Sequence, residues 1–287
     1  MRAGWEGRVA QRFAVALADP VLLAAQLTCA TLLLAPIGSW LVRPVVLTLA
    51  VAGLVAPGVA ASALFWAALA ALAALRVALD WPMSDNHGYL LAIWCCALAV
   101  ACADPRPRAV LARNARLLIG IAFALATLQK AFAPDYLDDT FFRWAFAVDG
   151  RFEDLGRLLG RGADDLDRTR AWLDAAPGEP PPEGAAFVET RALRRAATVF
   201  TWATLLLEGA VALAFLAPRA SSLARLRDAA LLLFCAGTYA IAPVAGFGWI
   251  LLSMGVAQSD SARWRALYLA VFALLILHRD VPWLALV

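Results

Sequence analysis

Lysine is almost missing from this chain: of its 25 basic side chains 24 are arginines, and Lys130 is the exception. Histidine is nearly as scarce, with only His87 and His278. Charged residues make up 16% of the 287, where soluble domains carry about a quarter. The net charge of +3 is too small to point to nucleic acid. Five cysteines are present: Cys29, Cys95, Cys96, Cys102 and Cys235. They form no C-x-x-C pair and no His/Cys cluster at zinc spacing, so neither a metal site nor a disulfide framework is expected. All five fall within apolar runs and read as small buried residues. A secretory leader is not expected either, because Arg2, Glu6, Arg8, Arg12 and Asp19 interrupt any apolar core. Ala10, Phe13, Ala14, Val15 and Leu17 point instead to a short amphipathic helix on a membrane surface.

What the chain does have is apolar length. Hydrophobic residues reach 63% and the mean hydropathy is +0.72. A bilayer crossing takes roughly 20 apolar residues in a helix. Runs that approach this length cover 20–40, 44–58, 60–79, 88–103, 117–133, 196–217, 228–242, 244–257 and 266–284. These predict an all-α, polytopic membrane bundle with nine transmembrane helices, or eight if the short runs flanking Pro243 join. Residues 1–287 read as one membrane domain. The long polar stretch, 134–195, lies within it and carries Pro180-Pro181-Pro182 and an aromatic segment with Phe141, Phe142, Trp144 and Phe146, suited to an interface.

Arginine placement predicts the orientation. With the N-terminus in the cytoplasm of a cell membrane, Arg106, Arg108, Arg113 and Arg116 fall inside, as do Arg219, Arg225, Arg227, Arg263 and Arg265. Segment 134–195, with nine arginines against thirteen acids, falls outside.

A charge near the bilayer centre costs at least ~2.5–3.5 kcal/mol on insertion scales, so intramembrane ionisable groups need a reason. Lys130, near the outer end of its helix, reads either as a snorkelling lysine or as a partly desolvated base. His87, at the mouth of the preceding helix, reads as a structural group or a proton shuttle. Glu208, in mid-helix, needs protonation or a cation or donor inside the bundle. Arg76 and Asp80, four apart, share a helix face and can pair. Successive helices tend to be neighbours, so His87 and Lys130 are permitted in one outer-leaflet pocket.

The same residues carry a family resemblance. Asp85-Asn86-His87-Gly88-Tyr89-Leu90, Gln129-Lys130-Ala131-Phe132-Ala133-Pro134-Asp135-Tyr136-Leu137, Leu207-Glu208 and Phe247-Gly248-Trp249-Ile250-Leu251-Leu252 follow one another over about 80–257. In kind and order this set resembles the horizontally transferred transmembrane domain family, the membrane half of vitamin K-dependent γ-carboxylases. The resemblance implies that Lys130 is the base that deprotonates a reduced, vitamin K-like naphthoquinone, whose anion then reacts with oxygen. It places His87 near that site and gives Asn86, Tyr89, Glu208 and Trp249 contacts to the quinol. Carboxylation in the family uses a large soluble region after the membrane domain, whereas this chain reaches Val287 straight after its last apolar run. Cys235 or Thr238 stands where the family carries a further histidine. The expectation is therefore quinol-dependent, oxygenase- or lyase-like redox chemistry at an outer-leaflet pocket, with lipid, a quinone and an extracytoplasmic protein as partners. Two rival readings stand beside it: a scaffold that binds a partner through 134–195, and a transporter with Glu208 on its path.

Overall fold

The computed structural model describes residues 17–280 apart from 39, 163, 176–179, 181 and 243. The expected amphipathic N-terminal helix lies almost wholly outside the described residues. Within them the fold is all-helical, and each of the nine apolar runs contains a helix. These are α1 (Pro20–Leu34), α2 (Arg43–Val55), α3 (Ala63–Leu79), α4 (Asn86–Ala103), α5 (Pro107–Ala131) and, after the polar segment with its helices α6 (Thr140–Val148) and α7 (Asp165–Leu173), α8 (Arg191–Leu216), α9 (Arg227–Ile241), α10 (Ala245–Gln258) and α11 (Ala262–Asp280).

Among the described residues, three helices are long and apolar enough to cross a membrane: α4, α5 and α8, of 18, 25 and 26 residues. At 1.5 Å per residue, α2 and α10, with 13 and 14 residues, reach only about 20 Å of the ~30 Å hydrocarbon layer. In each of the three long helices no more than 39% of the most apolar stretch is buried inside the protein. Leu64, Val55, Leu206, Leu213 and Leu274 point outward. An apolar exterior on this scale suits lipid and not water.

The chain enters and leaves its helices by ordinary rules. The Asp19 carboxylate caps α1, accepting from the Val21 and Leu22 amides at 3.1 Å, and Pro107 occupies the first turn of α5. Both α5 and α8 begin before the apolar runs that predicted them. Residues 107–116 and 191–195 are helical, where a connection was expected. Hydropathy marks only the apolar stretch; the backbone ladder continues past it, carrying Arg108, Arg113 and Arg194.

Polar groups inside the bundle bond locally or across helices. The Trp94 indole donates to the Thr28 hydroxyl (2.9 Å), tying α4 to α1, while Thr28 donates to the Ala24 carbonyl (2.8 Å). Helices α9 and α10 form a hairpin. At one end the Gln258 amide donates to Asp228 (2.6 Å), and at the other Tyr239 meets Phe247 with ring centroids 6.4 Å apart. The two short runs flanking Pro243 are thus antiparallel partners and not halves of one helix. All five cysteines are free; Cys29, Cys95 and Cys235 are buried as expected, whereas Cys96 is exposed on α4.

Segment 134–195 is more ordered than its composition suggests. Besides α6 and α7 it contains the turn Pro134–Leu137 and the short helix Glu153–Leu158. It builds a second core together with α8, in which Phe142 touches Tyr136, Phe146 and Phe200, each at 5.7 Å between centroids. Phe141 and Trp144 remain exposed on the other side of α6. Glu189 fastens the segment to the bundle: Arg143 Nε donates to it at 2.6 Å and Arg194 at 2.7 Å. These two guanidinium groups, Arg143 foremost, hold its carboxyl below the usual range.

Candidate functional site

Lys130 and Glu208 meet. The ammonium of Lys130, in the last turn of α5, donates to Oε1 of Glu208, in the middle of α8. The helices approach closely because Gly120 has no side chain: a Cβ there would stand 2.7 Å from Leu216 and 3.3 Å from Phe215. The Glu208 side chain is 8% exposed and that of Lys130 24%. The pair is therefore largely desolvated, and neither charge can be left alone without cost.

Further buried polar groups lie near the pair and, in the case of Thr201, two turns away along α8. Glu208 Oε2 is buried without a hydrogen-bond partner, as are the hydroxyls of Tyr136, Tyr239 and Thr201. The Lys130 ammonium stands 5.5 Å from the centre of the Tyr136 ring. Tyr136 lies beside Thr204, whose own proton goes to the Phe200 carbonyl at 2.6 Å. Burial pushes the Tyr136 phenol up to about 12. The charge of Glu208 reaches both Tyr136 and Tyr239. Thr201, Thr204 and Glu208 are spaced i, i+3 and i+7, which puts them on one face of α8. Buried polar atoms are nearly always bonded in native proteins, so several unmet ones around a single ion pair call for a ligand or water.

His87 occupies a different place. It lines a cavity of about 240 Å³ with Arg43, Arg76, Asp80 and Asp85, between the C-terminal ends of α1 and α3 and the N-terminal ends of α2, α4 and α10. Its Nε2 is 3.6 Å from Asp85, and the expected pair between Arg76 and Asp80 is formed there. Lys130 is not among the residues lining this cavity. Phe247 touches the His87 ring (6.5 Å between centroids) and Tyr239 touches Phe247, so two aromatic rings lead from His87 toward the neighbourhood of Glu208. Asn86 is exposed at the start of α4 and Tyr89 is half-buried. Trp249 is buried in another corner, stacked on Phe272 at 5.8 Å and under the Arg279 guanidinium at 5.5 Å.

The structure thus joins Lys130 and Glu208, keeps Asn86, His87 and Tyr89 together in the first turn of α4, and sets Trp249 apart from both. Tyr239, Thr201 and Arg43 were not anticipated. For Thr201 the signal was available in its spacing from Glu208. For Tyr239 there was none beyond a lone phenol in an apolar helix, and for Arg43 none beyond a charge at a helix start. Among the described residues no cluster of three or more His, Cys, Asp or Glu could hold a metal ion. No family model matches the chain, and neither a curated protein nor a solved structure is significantly similar to it.

Proposed function

We propose that the chain is a multi-pass protein of a cell membrane, crossing it nine times with its N-terminus in the cytoplasm, and that Lys130 and Glu208 together take a proton from a bound reduced quinone. The observation that carries this reading is the desolvated ion pair with one carboxylate oxygen and two phenols unsatisfied beside it. The resemblance to the membrane half of the vitamin K-dependent carboxylases, which rests on the residues around Lys130 and Glu208, supports the same choice of ligand. The nine helices, the apolar exterior and the arginines of the short connections at 104–116, 217–228 and 258–265 support the topology.

The unmet groups suit a flat ring bearing two oxygens. Tyr136 and Tyr239 offer hydroxyls that can donate or accept, and their rings offer apolar faces. A reduced naphthoquinone, when bound, supplies two reducing equivalents and two acidic hydroxyls. Glu208 Oε2 is the free acceptor for such a proton. Lys130 holds the carboxylate in place, balances its charge and can pass a proton on to the nearby outer surface, since about a quarter of its side chain is exposed. The base is then the pair and not the bare lysine. His87 serves at the mouth of its own cavity; Asn86, Tyr89 and Trp249 stay outside the proposed contact set.

The test is turnover of a reduced naphthoquinone by the protein purified in detergent, followed by quinol absorbance and oxygen uptake. Lys130→Met/Glu208→Leu removes the dyad without leaving a lone buried charge. Positioned acid–base groups contribute about 10²–10⁴-fold, so the double variant is expected to lose at least about a hundredfold in rate. A double variant that turns over as the wild type does would refute the proposal. A second reading is favoured by the separate aromatic core of 134–195: a scaffold binding a protein at the extracytoplasmic face. It gives the functional role to the exposed Trp144 and Trp172 and none to Lys130.

A further inference from the structure

At the end of the bundle away from segment 134–195, a cavity of about 420 Å³ opens between the start of α5 and the end of α10. Arg106, Arg108 and Arg219 line it. All three are exposed, and none has an ion-pair partner among the described residues. The one carboxylate on the wall, Asp260, is already approached by Arg227 at 3.4 Å. Behind them Arg116 has a buried Nε without a hydrogen-bond partner, within electrostatic reach of Arg219, Arg227 and Arg113. Like charges gathered at one place repel unless an anion joins them.

A second cavity of about 500 Å³ adjoins the first, with Pro107 and Arg108 as a shared wall. Val21, Leu22, Pro57 and Ala60 make it mostly apolar. Its one acid, Asp19, already caps α1. The two cavities together have an anion-binding part and a chain-binding part.

We propose that this double cavity binds an anionic phospholipid of the cytoplasmic leaflet, with the phosphate among Arg106, Arg108 and Arg219 and an acyl chain in the apolar groove. Guanidinium groups match phosphate oxygens in pairs, which ammonium groups do not. Basic pockets between helix ends on the cytoplasmic side are suited to such headgroups. A free phosphate would use only the first cavity; the apolar groove beside it selects a lipid. The inference rests on the membrane reading and is independent of the quinol chemistry.

The experiment is native mass spectrometry with thermal unfolding of the full chain in detergent. The probes are phosphatidylglycerol, phosphatidylcholine with the same acyl chains, and inorganic phosphate. Phosphatidylglycerol is expected to stay bound and raise the unfolding temperature, while phosphatidylcholine and phosphate do neither. Arg108→Gln and Arg219→Gln, singly and together, are expected to weaken phosphatidylglycerol binding, at least tenfold for the pair. Arg225→Gln, an exposed arginine outside the cavity, is expected to leave it unchanged. Equal binding of the two lipids, or undiminished binding by the pair variant, would overturn the site. Full stabilisation by inorganic phosphate would overturn the lipid as its occupant. A chain that stays monodisperse without detergent would instead overturn the membrane reading, and the lipid with it.

Discussion

Glu208→Leu is expected to lower the stability of the purified protein by about 3–5 kcal/mol, and adding Lys130→Met is expected to return most of that loss. The effect is electrostatic. The two side chains are 8% and 24% exposed, so their attraction is little screened, but each has also lost most of its hydration. Removing one partner leaves the other as a lone charge in an apolar setting, which is costlier than having neither. Replacing both by apolar side chains of similar size removes the attraction and the desolvation penalty together. Reversible unfolding in mixed micelles measures all three variants. An additive result, with the double variant losing the sum of the single losses, would show two independent contacts in place of a coupled pair.

Gly255→Ala is expected to cost up to about 3 kcal/mol, at the top of the range for overpacking, although it adds a single methyl group. A Cβ at Gly255 would collide with the Tyr268 ring across the α10–α11 contact. Tyr268 cannot retreat easily: it is fully buried, and its hydroxyl donates to Asp228 at 3.0 Å. The same Asp228 oxygen receives the Gln258 amide that closes the α9–α10 hairpin. Moving the ring would therefore loosen three helices. Gly58→Ala is the control, since nothing lies within 4 Å of a Cβ there, and it is expected to be neutral or slightly stabilising. Unfolding measurements under the same conditions separate the two; equal effects would mean that the α10–α11 contact yields.

Much of this architecture could be read from hydropathy. Every apolar run contains a helix, which satisfies its backbone internally, as a stretch with few polar side chains requires. Where the runs misled, the cause lay in what hydropathy does not record. It missed the helical starts of α5 and α8, which carry arginines and not apolar residues, and it missed the order within 134–195, where a few aromatic residues build a core among many charges. The pairing of Arg76 with Asp80 followed from their spacing within one helix. The pairing of Lys130 with Glu208, 78 residues apart, did not, because it depends on how α5 packs on α8 at Gly120. The same limit explains why adjacency in sequence left open whether His87 and Lys130 meet: α4 and α5 are consecutive, and His87 lines a cavity whose walls do not include Lys130. Trp249 sits in a corner set by α11, which its local motif does not mention.

The most direct test of the proton-accepting pair is infrared difference spectroscopy on the purified protein, recorded anaerobically as reduced naphthoquinone is added. The account predicts a new protonated-carboxyl band that is absent from Glu208→Gln and unchanged in His87→Ala. A spectrum in which quinol binds without any carboxyl change, or in which the band survives Glu208→Gln, would contradict it.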